Sequence, residues 1–268
     1  MSLSELDPLR WMTQSRPYVA AILLGVLWTA ESLVPMFVGR RHRFAHYATN
    51  LGLALLNAGI TSLLAFILLA VLAWANAHAF GLLRLVALPV WWNWIGAIVL
   101  LDCWQYWWHR INHRVPLLWR FHAVHHSDAD MDASSGVRFH TGEILLSFAA
   151  RLVVLPLIGL TAPQMLLYEA LSLPVILFHH SNIRVSARTD RTLRWLIATP
   201  WMHLVHHSRW QPETDSNYSS FLSIWDRLFG SFRLRDKPGE IVLGLEDYAE
   251  REWRPLSGLL LAPFRRRR

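Results

Sequence analysis

Eleven of the fourteen histidines fall between positions 109 and 207, and eight of them stand in three short boxes. The boxes are "HRINH" (His109, His113), "HAVHH" (His122, His125, His126) and "HLVHH" (His203, His206, His207). On a helix, residues three and four apart share a face, so each box presents two or three imidazoles to one point. Neutral imidazole is the commonest nitrogen ligand, and an array of it suits Fe, Zn or Cu rather than Mg or Ca. A single HxxxH pair arises by chance on an amphipathic helix. Two HxxHH boxes and an HxxxH in one chain amount to a metal-binding signature. Eight or more imidazoles exceed the roughly four ligands of a closed zinc site, so two ions with about four to five ligands each is the natural count. A zinc protease would need a HExxH box whose glutamate acts as general base, and none of the three carries one.

The segments that must position these boxes are apolar. Hydrophobic residues make up 53% of the 268, charged residues only 17%, and the apolar ones fall in long runs. This is the composition of a membrane-embedded protein. One cysteine, Cys103, excludes an internal disulfide framework. The formal charge is +7, but the basic residues form short groups beside apolar runs, such as Arg40, Arg41 and Arg43 or Arg265 to Arg268. That is flanking charge at a membrane surface, with no basic stripe for nucleic acid.

A bilayer core takes about 20 apolar residues as a helix. Tyr18 to Val38 is the first candidate, interrupted by Glu31 and Pro35, and is read as a retained span rather than a cleaved signal. Leu51 to Ala75 carries no charge, and Val90 to Trp108 is rich in tryptophan and carries Asp102. After the second box come two shorter runs, Ile144 to Leu160 and Pro163 to Phe178, with a turn near Thr161 and Ala162. Arg151 and Glu169 lie about ten and eight residues from that turn, hence at similar depth at about 1.5 Å per residue. A helical hairpin in which they pair or line a polar interior is expected, because an unpaired charge there is costly; the alternative is a shallow hairpin with both side chains reaching water. With "GRRHR" in a cytoplasmic loop, both HxxHH boxes and the basic C-terminus fall on the cytoplasmic face. The hairpin is what lets the boxes meet. The expected fold class is therefore all-α: an integral-membrane, multi-pass helical bundle of about four to five membrane-embedded segments, with a cytoplasmic histidine-rich helical cap. Residues 1–268 form one domain.

From about Trp92 to Arg235 the chain resembles the membrane fatty acid hydroxylase and sterol desaturase superfamily. "LDCWQYWWHRINHRVPLLWRFHAVHHSD" is similar to that family's first two motifs. "MDASSGVRFHTGE" resembles the following segment, with Thr141 where proline is usual. "FHHSNIR" resembles its single-histidine motif, with His179 an extra neighbour of His180. "TPWMHLVHHS" and "ETDSNYSSFLSIWDRLFGSF" resemble the last box and the C-terminal signature, with Ser219 where glycine is common. The resemblance marks residues 92–235 as a catalytic region holding a non-haem site of two iron ions, which uses O₂ to hydroxylate or desaturate a lipid C–H bond. It implies His109, His113, His122, His125, His126, His140, His180, His203, His206 and His207 as metal ligands, His140 in competition with a hydrogen-bonding role. It also implies a lipid substrate and a separate electron donor of the cytochrome b5, ferredoxin or flavoprotein type, since no reductase module is recognisable.

Asp128, Asp130, Asp132, Glu143 and Asp226 are candidates to accept from imidazole N–H groups. The three clustered aspartates serve equally as solvated loop charges, and Asp226 is expected to fix the cap through Arg227 or a helix end. His42, His46 and His78 read as interfacial residues. The tryptophans around Val90 to Trp108 read as an aromatic belt. The other functional class consistent with the composition is a membrane histidine protein that binds haem or transports metal. Haem needs only about two axial histidines, and a transporter wants ligands near the midplane.

Overall fold

A computed structural model describes residues 8–40, 42–248 and 255–265, with side chains from residue 17 onward. The expected basic flanks at Arg41 and Arg266 to Arg268 lie outside the described residues. The described chain is helical; its only extended pairing is three isolated bridges, Pro35 with Ile183, Ile197 with Leu222 and Ser208 with Leu243.

Five helices supply the body: α1 (Pro8–Leu33), α2 (Arg43–Ala77), α3 (Val90–Arg114), α5 (Thr141–Ile158) and α6 (Ala162–His180). The short α4 (Pro116–His126) follows α3 directly. Among the described residues two segments are long and apolar enough to cross a membrane: Arg43–Arg84, with mean hydropathy 2.4, and Thr141–Ile158, with 1.7. On α2 the apolar side chains Leu55, Leu63 and Phe66 point outward, each at least 69% exposed. The first apolar run ends sooner than its composition predicts. Pro35 has no N–H to give the helix and disfavours helical backbone at Val34, and α1 stops at Leu33; Pro35 then bridges to Ile183 and Met36 N donates to the Asn182 carbonyl.

The α5–α6 hairpin is built by its turn residues. Gly159 ends α5 in the left-handed region at φ +85°, and Thr161 caps α6 in a reciprocal box with Gln164. Gly81, at φ +111°, lies against this turn so closely that a Cβ there would collide with the Gly159 backbone and the Pro156 carbonyl. Arg151 Nη1 and Glu169 Oε1 meet at 2.9 Å across the hairpin. The main apolar core joins α2, α3, α5 and α6 through Leu72, Leu101, Leu155 and Leu166. Asp102, buried on α3, accepts from Tyr168 Oη on α6 and from Trp225 Nε1 and Leu222 N in the C-terminal segment. It fastens that segment to the bundle.

Beyond α6 the chain folds over one end of the bundle as short helices: α7 (Ala187–Leu193), α8 (Pro200–His206), α9 (Gln211–Thr214), α10 (Ile224–Leu228) and α11 (Leu256–Leu261).

Candidate metal centre

The histidines collect where helices end. His113 lies in the last turn of α3, His125 and His126 in that of α4, and His180 in that of α6. His203 and His206 lie on α8, with His207 at its C-cap. The C-terminal turn of a helix carries partial negative charge, a field that suits cations. Thr199 caps the start of α8 by accepting from Met202 N, and Pro200 occupies the first helical position, so the chain re-enters a helix just before the third box.

Nine of the ten expected ligands form two adjoining groups. One holds His109, His113, His122, His126 and His206; the other holds His125, His180, His203 and His207. Within each group the candidate ligand atoms all lie within 4.8 Å of one another. Both HxxHH boxes divide between the groups, and the stacked rings of His126 and His207, 4.4 Å apart, join them. All nine are buried or nearly so.

The hydrogen bonds fix how these rings are protonated. A carbonyl can only accept, so His109 Nδ1 donates to Tyr218 O (2.8 Å) and His206 Nδ1 donates to Ser216 O (2.7 Å). Their Nε2 atoms are then lone pairs, yet they face each other at 3.0 Å. In the second group His180 Nδ1 donates to Ile176 O (2.7 Å) and His125 Nδ1 to Arg138 O (3.3 Å), leaving their Nε2 lone pairs 3.2 Å apart. Opposed lone pairs repel unless a cation lies between them. Two nitrogens about 2.1 Å from one ion and at right angles to it are about 3.0 Å apart, whereas tetrahedral ligands are about 3.4 Å apart. The contacts of 2.9 Å (His203 to His180) and 3.1 Å (His207 to His203) also match the right-angle spacing. Nε2 of His122 and both nitrogens of His113 and of His126 are buried without a hydrogen-bond partner, a cost that metal ligation removes at one nitrogen of each ring; His113 Nδ1 lies 3.4 Å from Asp215 Oδ1.

Burial, then the neighbouring imidazoles, holds the pKa of His109, His113, His125, His126, His203 and His207 well below the ordinary histidine value. Burial likewise takes His180 down to about 4 and His206 to about 3. Neutral imidazole is the form a metal binds.

Of the acidic candidates, Glu143 reaches a box histidine: its Oε1 accepts from His122 Nδ1 at 2.8 Å. Asp128 and Asp132 do not. They hold His46 between them, Nε2 to Asp128 and Nδ1 to Asp132, each at 2.9 Å. His46 is thus a half-buried link to the loop after the second box. Asp130 bonds through its backbone, with its carbonyl receiving Arg40. Asp226 fixes the cap, but through Tyr218 N, Ser219 N and Ser231 Oγ rather than through Arg227.

His140 is the correction among the expected ligands. It lies in neither group and is the N-cap of α5: Nδ1 accepts from Gly142 N (2.8 Å), and Nε2 donates to Leu260 O (3.1 Å). Both ring nitrogens are occupied, and none is left for a metal. The buried His179 also stands outside both groups, with its ring centroid 4.0 Å from that of His203.

Two other residues that hold the site were not singled out as doing so from the sequence. Arg138 donates to Val124 O, Asn50 Oδ1 and Ser127 Oγ, locking the end of α4 while its own carbonyl orients His125. Glu31 Oε1 accepts from Ala133 N and Asn182 N, tying α1 to the segments beside the second and fourth histidine motifs. A lone carboxylate in an apolar run was its visible signal.

Buried neutral imidazoles in two adjoining groups, at one end of an apolar helical bundle, make a polyhistidine centre with the donor chemistry to hold transition metal. Comparison with known proteins gives the family. The fatty acid hydroxylase family model matches residues 94–231, over half of the sequence, and the chain belongs to that family. Among curated relatives it is 34% identical over 148 residues to ornithine lipid hydroxylase OlsE of Rhizobium tropici, covering 55% of this chain and 44% of that protein. It is 30% identical over 155 residues to alkylglycerol monooxygenase of Homo sapiens (58% and 33%). It is 29% identical over 176 residues to fatty acid hydroxylase vlmA of Lecanicillium sp (58% and 47%). The chain spans less than half the length of each of these three. No solved structure matches it.

Proposed function

We propose that this chain is a membrane-bound, O₂-dependent lipid hydroxylase with two non-haem iron ions, one in each histidine group. The observation that carries the reading is the pair of opposed imidazole lone pairs, His109 against His206 and His125 against His180, each ring oriented by a backbone carbonyl. His109, His113, His122, His126 and His206 hold one ion; His125, His180, His203 and His207 hold the other. When bound, the iron pair supplies O₂ activation and the removal of hydrogen from an unactivated C–H bond.

The chain supplies orientation and dryness. Glu143 and the carbonyls of Tyr218, Ser216, Ile176 and Arg138 each accept one imidazole N–H, which keeps the other nitrogen free for metal. The apolar helices wall the site from water on the bundle side. About four to five helical segments lie in the bilayer, with the histidine end and the C-terminus at the cytoplasmic surface, and a lipid chain slides in between segments. The relatives' names, two hydroxylases and a monooxygenase, favour hydroxylation over desaturation. Electrons come from a separate cytochrome b5-, ferredoxin- or flavoprotein-type donor.

Comparative lipid mass spectrometry of cells expressing the wild type or His125→Ala tests this. A lipid that gains one oxygen atom in the wild type alone is expected, and its mass names the substrate. Loss of two hydrogens instead would reassign the reaction to desaturation. Identical lipid profiles in the two strains, with both proteins present in the membrane, would overturn the assignment.

A further inference from the structure

The first histidine group is held by a loop that belongs to neither box. His109 on α3 and His206 on α8 both donate Nδ1–H into the turn between α9 and α10, to Tyr218 O and Ser216 O. This turn has little regular structure of its own, and Asn217 within it sits in the left-handed region at φ +49°. Its shape is imposed by side chains. Asn217 Nδ2 donates to Met202 O and Arg233 O, and Asn217 Oδ1 accepts from Arg233 N.

Beneath the turn lies the fully buried carboxylate of Asp226. Its Oδ1 accepts from Tyr218 N (2.7 Å) and Ser231 Oγ (2.8 Å), and its Oδ2 from Ser219 N (3.1 Å). Ser231 Oγ in turn bonds Tyr106 Oη (2.7 Å), one helical turn from His109 on α3. The second group has no contact with this loop in its hydrogen bonds: His125 and His180 are oriented by Arg138 O and Ile176 O.

We propose that Asp226 is a positioning residue specific to the first group: by holding the Ser216–Ser219 turn it presents two carbonyls to two facing ligands and sets the affinity of that one site. The proposal rests on the reading that each group holds an ion. Without the carboxylate, three inward-pointing donors lose their acceptor, the turn shifts, and His109 and His206 lose the fixed tautomer that leaves Nε2 free. The chain from carboxylate to peptide N–H, to carbonyl, to imidazole transmits position rather than a proton. The two carbonyls belong to the peptide units on either side of the 217–218 peptide, so a shift of the turn moves both ligands together.

The test is titration of the metal-depleted full chain, in detergent micelles, with Co²⁺ as the probe, followed by its ligand-field bands and paired with thermal unfolding. Wild type is expected to take up two equivalents. Asp226→Ala is expected to keep one equivalent at wild-type affinity and to bind the other about 10–100-fold more weakly. Asp226→Asn, which keeps an oxygen for Tyr218 N, should lose less. Glu169→Gln in the remote hairpin serves as a fold control and should take up two equivalents. Two wild-type equivalents in Asp226→Ala would overturn the proposal. So would parallel weakening of both equivalents in Asp226→Ala and the hairpin control alike. Fewer than two equivalents in the wild type would overturn the two-ion reading itself, a result distinct from failure of the clamp.

Discussion

His109 and His206 face each other across the first histidine group, Nε2 to Nε2 at 3.0 Å, with each Nδ1–H already given to a backbone carbonyl. The pair has no hydrogen left to share. Its closeness is repulsive in the metal-free chain and becomes favourable only around a cation, which sets the first expectation. Iron removal by a chelator should lower the unfolding temperature, and restoring two equivalents should recover it. For wild-type protein in micelles, a chelator-insensitive unfolding temperature would contradict this.

Acid should expose the same dependence. Burial and neighbouring imidazoles depress His109, His113, His125, His126, His203 and His207 well below the ordinary 6.5, and burial takes His180 to about 4 and His206 to about 3. A depressed group gives stability that is present above the unfolded value and lost as pH falls through the folded one. The metal-free chain should therefore lose stability progressively from about pH 6.5 towards pH 3, and bound metal should hold the curve flat to lower pH by competing with protons. Unfolding temperature against pH, with and without chelator, reads both limbs.

Glu143 anchors His122 at 2.8 Å. Glu143→Gln can still accept through its amide oxygen and should weaken metal binding by about tenfold, whereas Glu143→Ala should cost nearer a hundredfold. Competition against a metal-binding dye measures both; wild-type affinity in Glu143→Ala would mean that the contact plays no part in ligation.

His140 caps α5 and lies in neither histidine group. His140→Asn, with a better capping side chain, should keep full metal content and activity. His140→Ala should lose about 1 kcal/mol of stability with metal content unchanged. A drop in metal per chain in either variant would return His140 to the ligand set.

Gly81 meets the hairpin turn at Gly159 with no room for a side chain and at φ +111°. Gly81→Ala therefore combines backbone strain with overpacking and should cost about 3 kcal/mol. Gly25, which has open space around it, makes the control: Gly25→Ala should be neutral or mildly stabilising. Thermal unfolding of the two variants side by side decides it.

The gathering of nine of the ten singled-out histidines, the hairpin and the Arg151–Glu169 pair were legible in the sequence, because box spacing and apolar run length act locally. The orienting partners were less so. Asp128 and Asp132 lie beside a box in sequence but turn to His46, more than 80 residues away, and nothing in the chain order announces that pairing. His140 misled for a related reason. Its chemistry is that of a ligand, but it falls at the start of α5, where the backbone offers a donor at Gly142 and the partner at Leu260 is distant in sequence. Carbonyl partners such as Tyr218 and Ser216 carry no side-chain signature at all.

The first group draws its ligands from widely separated stretches, with His109 and His206 lying 97 residues apart. At a synthesis rate of about 5–20 residues per second, roughly 5–20 s separate their emergence from the ribosome. Through most of that interval His109, His113, His122 and His126 are already made, and four imidazoles are the complement that satisfies zinc. Only the arrival of His206, beyond the hairpin, adds the fifth. On the proposed reading, with iron in both groups, the order of the boxes opens an interval during biosynthesis in which zinc has its best opportunity, and it closes when the last box docks.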